Sequence, residues 1–134
     1  MDRILGFIGS GNMGQAMLGG ILESKLLPGN QIIVSDLDEQ KLQAVAETYG
    51  VQTTTDSREL ALKADIIILA VKPNIYDPVM QSIKDVITSD KIIVTIAAGK
   101  SIASIEAILG SKTKIIRTMP NTPALVSEGM SALC

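Results

Sequence analysis

The chain has no histidine and no tryptophan, one phenylalanine, two tyrosines and one cysteine. Without histidine there is no imidazole for acid–base chemistry near neutral pH and none for metal ligation. With aromatics at 2%, the core must be built from Ile, Leu, Val, Ala and Met. So few rings and a net charge of -2 also argue against a nucleic-acid-binding face, which needs a basic stripe or stacking side chains. The single cysteine, Cys134, excludes an intrachain disulfide and fits a reducing cytosol, so a cytoplasmic protein is expected. Long apolar runs are missing as well. The stretch Ile4–Ile8 is too short for a signal peptide, and nothing approaches the roughly 20 apolar residues of a membrane span. Neither a membrane nor a metal ion is expected as a partner.

What the chain does have is aliphatic residues and glycine. Hydrophobic residues make up 46% and charged ones 19% of 134 residues, enough for one packed domain or part of one. Gly9-Ser10-Gly11-Asn12-Met13-Gly14 follows the apolar run Ile4–Ile8 and opens a segment of helical spacing. Between a strand and a helix, G-x-G-x-x-G serves a dinucleotide. The first glycine allows the tight turn, the second lets backbone approach a pyrophosphate, and the third lets helix and strand pack closely. The helix start adds backbone N–H groups and the positive end of its dipole. Asp36 falls about 20 residues further on, where a carboxylate accepts hydrogen bonds from a ribose 2′-OH and repels a 2′-phosphate. The same acid would also suit a helix start, a role equally open to Asp38.

Strand-like and helix-like segments alternate along the chain. Arg3–Ile8 suits a buried parallel strand, and Gly11–Ser24 carries apolar residues at helical spacing. Leu27-Pro28-Gly29-Asn30 is a turn and Gln31–Ser35 a second strand. Asp38 is expected to cap a helix through Tyr49, with Leu42, Val45, Ala46 and Tyr49 on one face and Gly50 closing it. Val51–Thr53 is a short third strand. Asp56-Ser57-Arg58-Glu59 reads as a capping box for a helix ending near Ala64. Ile66–Val71 is the strongest strand, broken by Lys72-Pro73-Asn74. A helix over Tyr76–Val86, a strand over Lys91–Ile96, a helix capped by Ser101 and ended by Gly110, and a strand over Lys114–Thr118 follow. Met130–Leu133 would begin a further strand. This β-α repetition predicts a doubly wound, mostly parallel, Rossmann-like sheet in a three-layer α/β/α arrangement.

Ligands in such folds bind beyond the carboxyl ends of the strands. The loops expected there are Gly9–Gly14, Ser35–Leu37, Val71–Pro73, Ala97–Gly99 and Met119–Asn121. Ala97, Ala98 and Gly99 would form a wall of small side chains that a flat nicotinamide ring can approach, since hydride transfer requires near contact. Asn121, between Pro120 and Pro123, offers an amide on a stiffened loop, although Asn and Pro are also ordinary turn-formers. Lys72 is either at the ligand or a solvated lysine at a strand end.

Four segments together resemble the N-terminal domain of pyrroline-5-carboxylate reductase. They are Gly6-Phe7-Ile8-Gly9-Ser10-Gly11-Asn12-Met13-Gly14, Ala70-Val71-Lys72-Pro73-Asn74, Ile96-Ala97-Ala98-Gly99 and Arg117-Thr118-Met119-Pro120-Asn121-Thr122-Pro123. The resemblance covers Ile4 to Leu133. It implies the last step of proline synthesis, in which NADH or NADPH gives hydride to the C5=N bond of 1-pyrroline-5-carboxylate. It also implies that Gly9, Ser10, Gly11, Asn12, Met13 and Gly14 hold the pyrophosphate. Ala70, Val71, Lys72 and Pro73, with Ala97, Ala98 and Gly99, would lie along the nicotinamide half. Met119, Pro120 and Asn121 would border the substrate. In that family a second, all-helical domain dimerises and completes the active site. Residues 1–134 are then expected to be a cofactor-binding domain cut from a longer homo-oligomeric enzyme, inactive alone, and no catalytic residue is assigned within it.

Two departures bear on the cofactor. Many relatives carry an arginine after the second strand, where this chain has Ser35-Asp36-Leu37, and often asparagine near the adenosine ribose where it has Ser57. Both tilt the expected cofactor toward NADH or dual use. Other Rossmann oxidoreductases remain as alternatives, of the 6-phosphogluconate or hydroxyacid dehydrogenase type or the deazaflavin-dependent NADP reductase type. A non-catalytic nucleotide-binding module is another.

Overall fold

The computed structural model describes residues 3–9, 12–25, 28–71, 75–96, 102–110 and 113–117. Among the described residues six strands alternate with five α-helices: β1 (Leu5–Ile8), α1 (Asn12–Glu23), β2 (Ile32–Ser35), α2 (Glu39–Tyr49), β3 (Gln52–Thr54), α3 (Ser57–Lys63), β4 (Ile66–Leu69), α4 (Tyr76–Ile83), β5 (Ile92–Thr95), α5 (Ile102–Leu109) and β6 (Lys114–Arg117). The strands form one parallel sheet in the order β3-β2-β1-β4-β5-β6. β1 is central, and the chain winds outward from it first to β2 and β3, then to β4, β5 and β6. The boundary between β1 and β4 is the switch point where such folds open a crevice.

Alternation along the strands sorts the core into two layers. Leu5, Phe7, Ile32, Val34, Ile66, Ile68 and Val94 face α1 and α2, meeting Met17, Leu18, Ile21, Leu42 and Val45. Ile8, Ile33, Ile67, Leu69 and Ile93 face the other way, onto α3, α4 and α5 through Leu60, Tyr76, Met80, Ile83, Ile105 and Leu109. The expected three-layer α/β/α arrangement is thus observed.

Helix ends follow local chemistry, with two departures. Asp38 caps α2 by accepting from the backbone N–H of Gln40 (2.9 Å) and Lys41 (3.3 Å), and Gly50 ends it in the left-handed conformation (φ 69°). The capping box at α3 forms only in part. The Asp56 side chain accepts from the Arg58 N–H, but the Asp56 N–H donates to the Thr54 hydroxyl oxygen (3.1 Å) instead of to Glu59. Thr54 donates in turn to Glu59 (3.1 Å). Lys63 first, and then Thr54, hold the Glu59 carboxyl below its ordinary pKa. α4 stops at Ile83 instead of running to Val86, because the chain tightens there into a Val86-to-Ile83 bond. The turn after Pro28 is a single 3-10 turn over Gly29–Gln31. The Ser101 cap and the Met130–Leu133 strand lie outside the described residues.

The amino edge of the sheet is closed by polar groups. The Asp65 carboxylate accepts from the Ile4 N–H (2.9 Å). Lys91, almost fully buried, donates to the carbonyls of Ala64 (2.6 Å) and Leu62 (3.3 Å), capping the C-terminus of α3 with a cation. Lys91→Met keeps the stem and removes both bonds. It is expected to cost about 2 kcal/mol, the worth of a hydrogen bond to a charged group. Urea unfolding followed by circular dichroism reads that change, and a midpoint equal to wild type would show that water replaces the ammonium.

Candidate cofactor site at the carboxyl edge

The site begins where β1 ends. Gly9 has φ +101°, a region L side chains rarely adopt, and its N–H donates to the Ser35 carbonyl at 2.7 Å. A Cβ on Gly9 would lie 2.8 Å from the Ala70 carbonyl oxygen and 2.8 Å from Val71 Cγ1. One on Gly14 would lie 2.9 Å from the Ala70 Cβ. Both glycines therefore make room for Ala70, which leaves β4 across the switch point. The third glycine does bring helix and sheet together as expected, but the contact is with the exit of β4. α1 starts at Asn12 and has no acidic residue in its first turn, so the positive end of its dipole is not offset by a side chain of the helix itself.

The end of β2 forms the second part. Ser35 is fully buried, and its hydroxyl lies 3.3 Å from that of Ser57, at the start of α3. Asp36 donates its N–H to the Thr54 carbonyl (3.3 Å), and its carboxylate accepts from the Asp38 N–H (3.0 Å). The two acids thus divide their work: Asp38 caps α2, and Asp36 sits at the carboxyl edge in a turn of its own making. Leu37 beside it is 91% exposed. No basic residue lies between Ser35 and Asp38. The fold thus brings Ser57, 22 positions further along the chain, against Ser35 and so beside Asp36.

The third part is the end of β4 and β5. Ala70 and Val71 lie just beyond β4, half-buried and against Gly9. The strand stops at Leu69, earlier than expected, with Ala70 turned over the glycine corner. Beneath it the buried Tyr76 hydroxyl donates to the Leu69 carbonyl (2.7 Å) and accepts from Thr95 (3.0 Å). Neither residue stands out in the sequence. A tyrosine three residues after Pro73, and a threonine after an Ile-Ile-Val run, are the only signals.

Ser10, Gly11, Lys72, Pro73, Ala97, Ala98, Gly99, Met119, Pro120 and Asn121 lie outside the described residues, as do the side chains of Asn12 and Met13. Among the described residues no group of three or more metal-ligating side chains occurs. No described helix is long and apolar enough to cross a membrane. The described edge offers backbone N–H groups, hydroxyls and a carboxylate. That set fits a dinucleotide, with donors for phosphate at the helix start and an acceptor for ribose after β2.

A parallel sheet of this order, with a glycine corner after β1 and an acid after β2, is the architecture on which Rossmann-like folds bind dinucleotides. Residues 4–99 match the family described as NADP oxidoreductase, coenzyme F420-dependent, and the chain belongs to that family. Over 134 residues it is 43% identical to the pyrroline-5-carboxylate reductase of Escherichia coli K12, covering 99% of this chain and 49% of that enzyme. The solved structure of a pyrroline-5-carboxylate reductase from Coxiella burnetii superposes with a TM-score of 0.85 at 36% identity, covering 96% of this chain and 47% of that one. The Plasmodium falciparum pyrroline carboxylate reductase with NADP bound gives 0.80 at 33% identity, with 93% and 45% covered. The resemblance read from the motifs is borne out. The chain spans about half the length of the curated relatives it matches.

Proposed function

We propose that the chain is the cofactor-binding half of a pyrroline-5-carboxylate reductase, the enzyme that reduces the C5=N bond of 1-pyrroline-5-carboxylate to give L-proline. The observation that carries this is the identity to such reductases over nearly the whole chain, past residue 99 where the family match stops. The second half of the relatives' length is read as the helical domain that completes the substrate site and joins subunits. Within this chain, the Gly9–Gly14 corner holds the pyrophosphate and Asp36, with Ser35 and Ser57, the adenosine ribose. Ala70 and Val71 border the nicotinamide half, which supplies hydride when bound. An iminium accepts hydride readily, so the protein's work is to position the reactants and exclude water. We read cofactor use as dual, tilted toward NADH by Asp36. The NADP bound to the Plasmodium falciparum relative supports a place for NADPH as well.

Calorimetric titration of the chain with NADH and NADPH tests the binding half of this reading. Binding of at least one is expected, and silence from both at millimolar concentration would sink it. A reductase assay with 1-pyrroline-5-carboxylate, run with each cofactor on the longest product of the gene, tests the activity. Reduction of a deazaflavin by NADPH with no imine reduction would favour the coenzyme F420 chemistry in the family's name.

A further inference from the structure

Tyr76 and Thr95 are both fully buried, at 0% exposure, Tyr76 in a cluster of otherwise aliphatic side chains. A buried polar atom is costly unless paired. These two are paired with each other and with the backbone. Thr95 Oγ1 donates to the Tyr76 hydroxyl (3.0 Å), which donates to the Leu69 carbonyl (2.7 Å). Leu69 and Thr95 are the last register partners of β4 and β5. The bridge therefore spans the carboxyl ends of two neighbouring strands, from a helix that packs beneath both.

The Leu69 carbonyl belongs to the planar Leu69–Ala70 peptide. The other side of that plane is held too, because the Ala70 N–H donates to the Ile8 carbonyl (2.8 Å). With both its C=O and its N–H fixed, the peptide has one orientation, which sets where Ala70 lies. Ala70 is the residue that Gly9 and Gly14 make room for. In a doubly wound sheet the adenosine half of a dinucleotide rests on β1–β3 and the nicotinamide half on the strands beyond the switch point.

We propose that Tyr76 is a positioning residue for the nicotinamide half of the cofactor. Through the Leu69–Ala70 peptide and Thr95 it fixes the carboxyl edge of β4 and β5 on which that half rests, without touching the cofactor. The proposal rests on the cofactor-binding reading above.

The test uses this chain with Tyr76→Phe and, separately, Thr95→Val, titrated with NADH, NADPH and ADP-ribose, the last lacking only the nicotinamide end of NADH. The chain has no tryptophan, so enhancement of reduced-nicotinamide fluorescence reports binding cleanly, and calorimetry reads ADP-ribose. Tyr76→Phe is expected to weaken NADH and NADPH about fivefold to tenfold, a loss on the scale of one buried hydrogen bond, and to leave ADP-ribose within about twofold. Thr95→Val is expected to change the same ratio in the same direction. An equal loss for all three ligands, or none, would overturn the proposal, since a merely structural role weakens both halves alike. Should Tyr76→Phe not fold, Thr95→Val decides; should neither fold, the bridge is a folding element and the proposal is wrong. If the wild-type chain binds none of the three, the cofactor reading itself has failed. Wild-type binding with an unchanged ratio in the variants removes only the role of Tyr76.

Discussion

Gly9→Ala is expected to cost about 3 kcal/mol of stability and to abolish dinucleotide binding, and two separate penalties add to give that figure. The first is conformational: φ at this position is +101°, and an alanine held there sits in a sparsely populated region. The second is steric. The new methyl would lie 2.8 Å from the Ala70 carbonyl oxygen, which belongs to backbone anchored in the centre of the sheet and cannot swing aside. Relief requires moving either the end of β4 or the corner itself, and the corner is tied by its N–H to the Ser35 carbonyl at 2.7 Å. Urea unfolding gives the stability change, and calorimetry with NADH and NADPH gives the binding. Retained binding with a stability loss under about 1 kcal/mol would mean that the corner relaxes freely and the backbone geometry is not needed.

Asp36→Ala is expected to raise the affinity for NADPH relative to NADH by about tenfold. On the proposed reading, the substitution would remove one negative charge facing a 2′-phosphate in a partly solvated site, where a unit charge pair is worth about 1 to 4 kcal/mol. The change should shrink as salt is added, because the edge is open to solvent. Both affinities are read in one fluorescence titration series at two ionic strengths. NADH affinity should fall as well, with loss of an acceptor for the ribose hydroxyls. An unchanged ratio would mean that the carboxylate, already accepting from the Asp38 N–H, does not face the ribose.

Strands and caps were legible because each rests on a short-range rule. The Ile-Ile-Ile-Leu run of β4 is buried on both faces, as an unalternating apolar strand must be. α2 could be bounded at both ends, since Asp38 and Gly50 act on backbone groups within a few residues of themselves. The glycine corner was legible in kind, but its contacts were not. That Gly9 and Gly14 both yield space to Ala70 depends on β4 lying next to β1, a pairing some 60 residues apart in sequence that motif spacing does not encode. The same holds for Thr54, which takes the reciprocal place expected of Glu59 because the end of β3 delivers its hydroxyl to the start of α3. Tyr76 and Thr95 were missed for the same reason. Each is unremarkable in its own segment, and the bond between them exists only once β4, β5 and α4 are assembled.

Lys91 and Asp65 close the amino edge of the sheet, at the end opposite the glycine corner. Asp36 and the protruding Leu37 sit at the opposite end, where a side-chain exchange disturbs little packing. On the proposed reading of Asp36, a shift between NADH and NADPH would need only exchanges just after β2, away from the buried core.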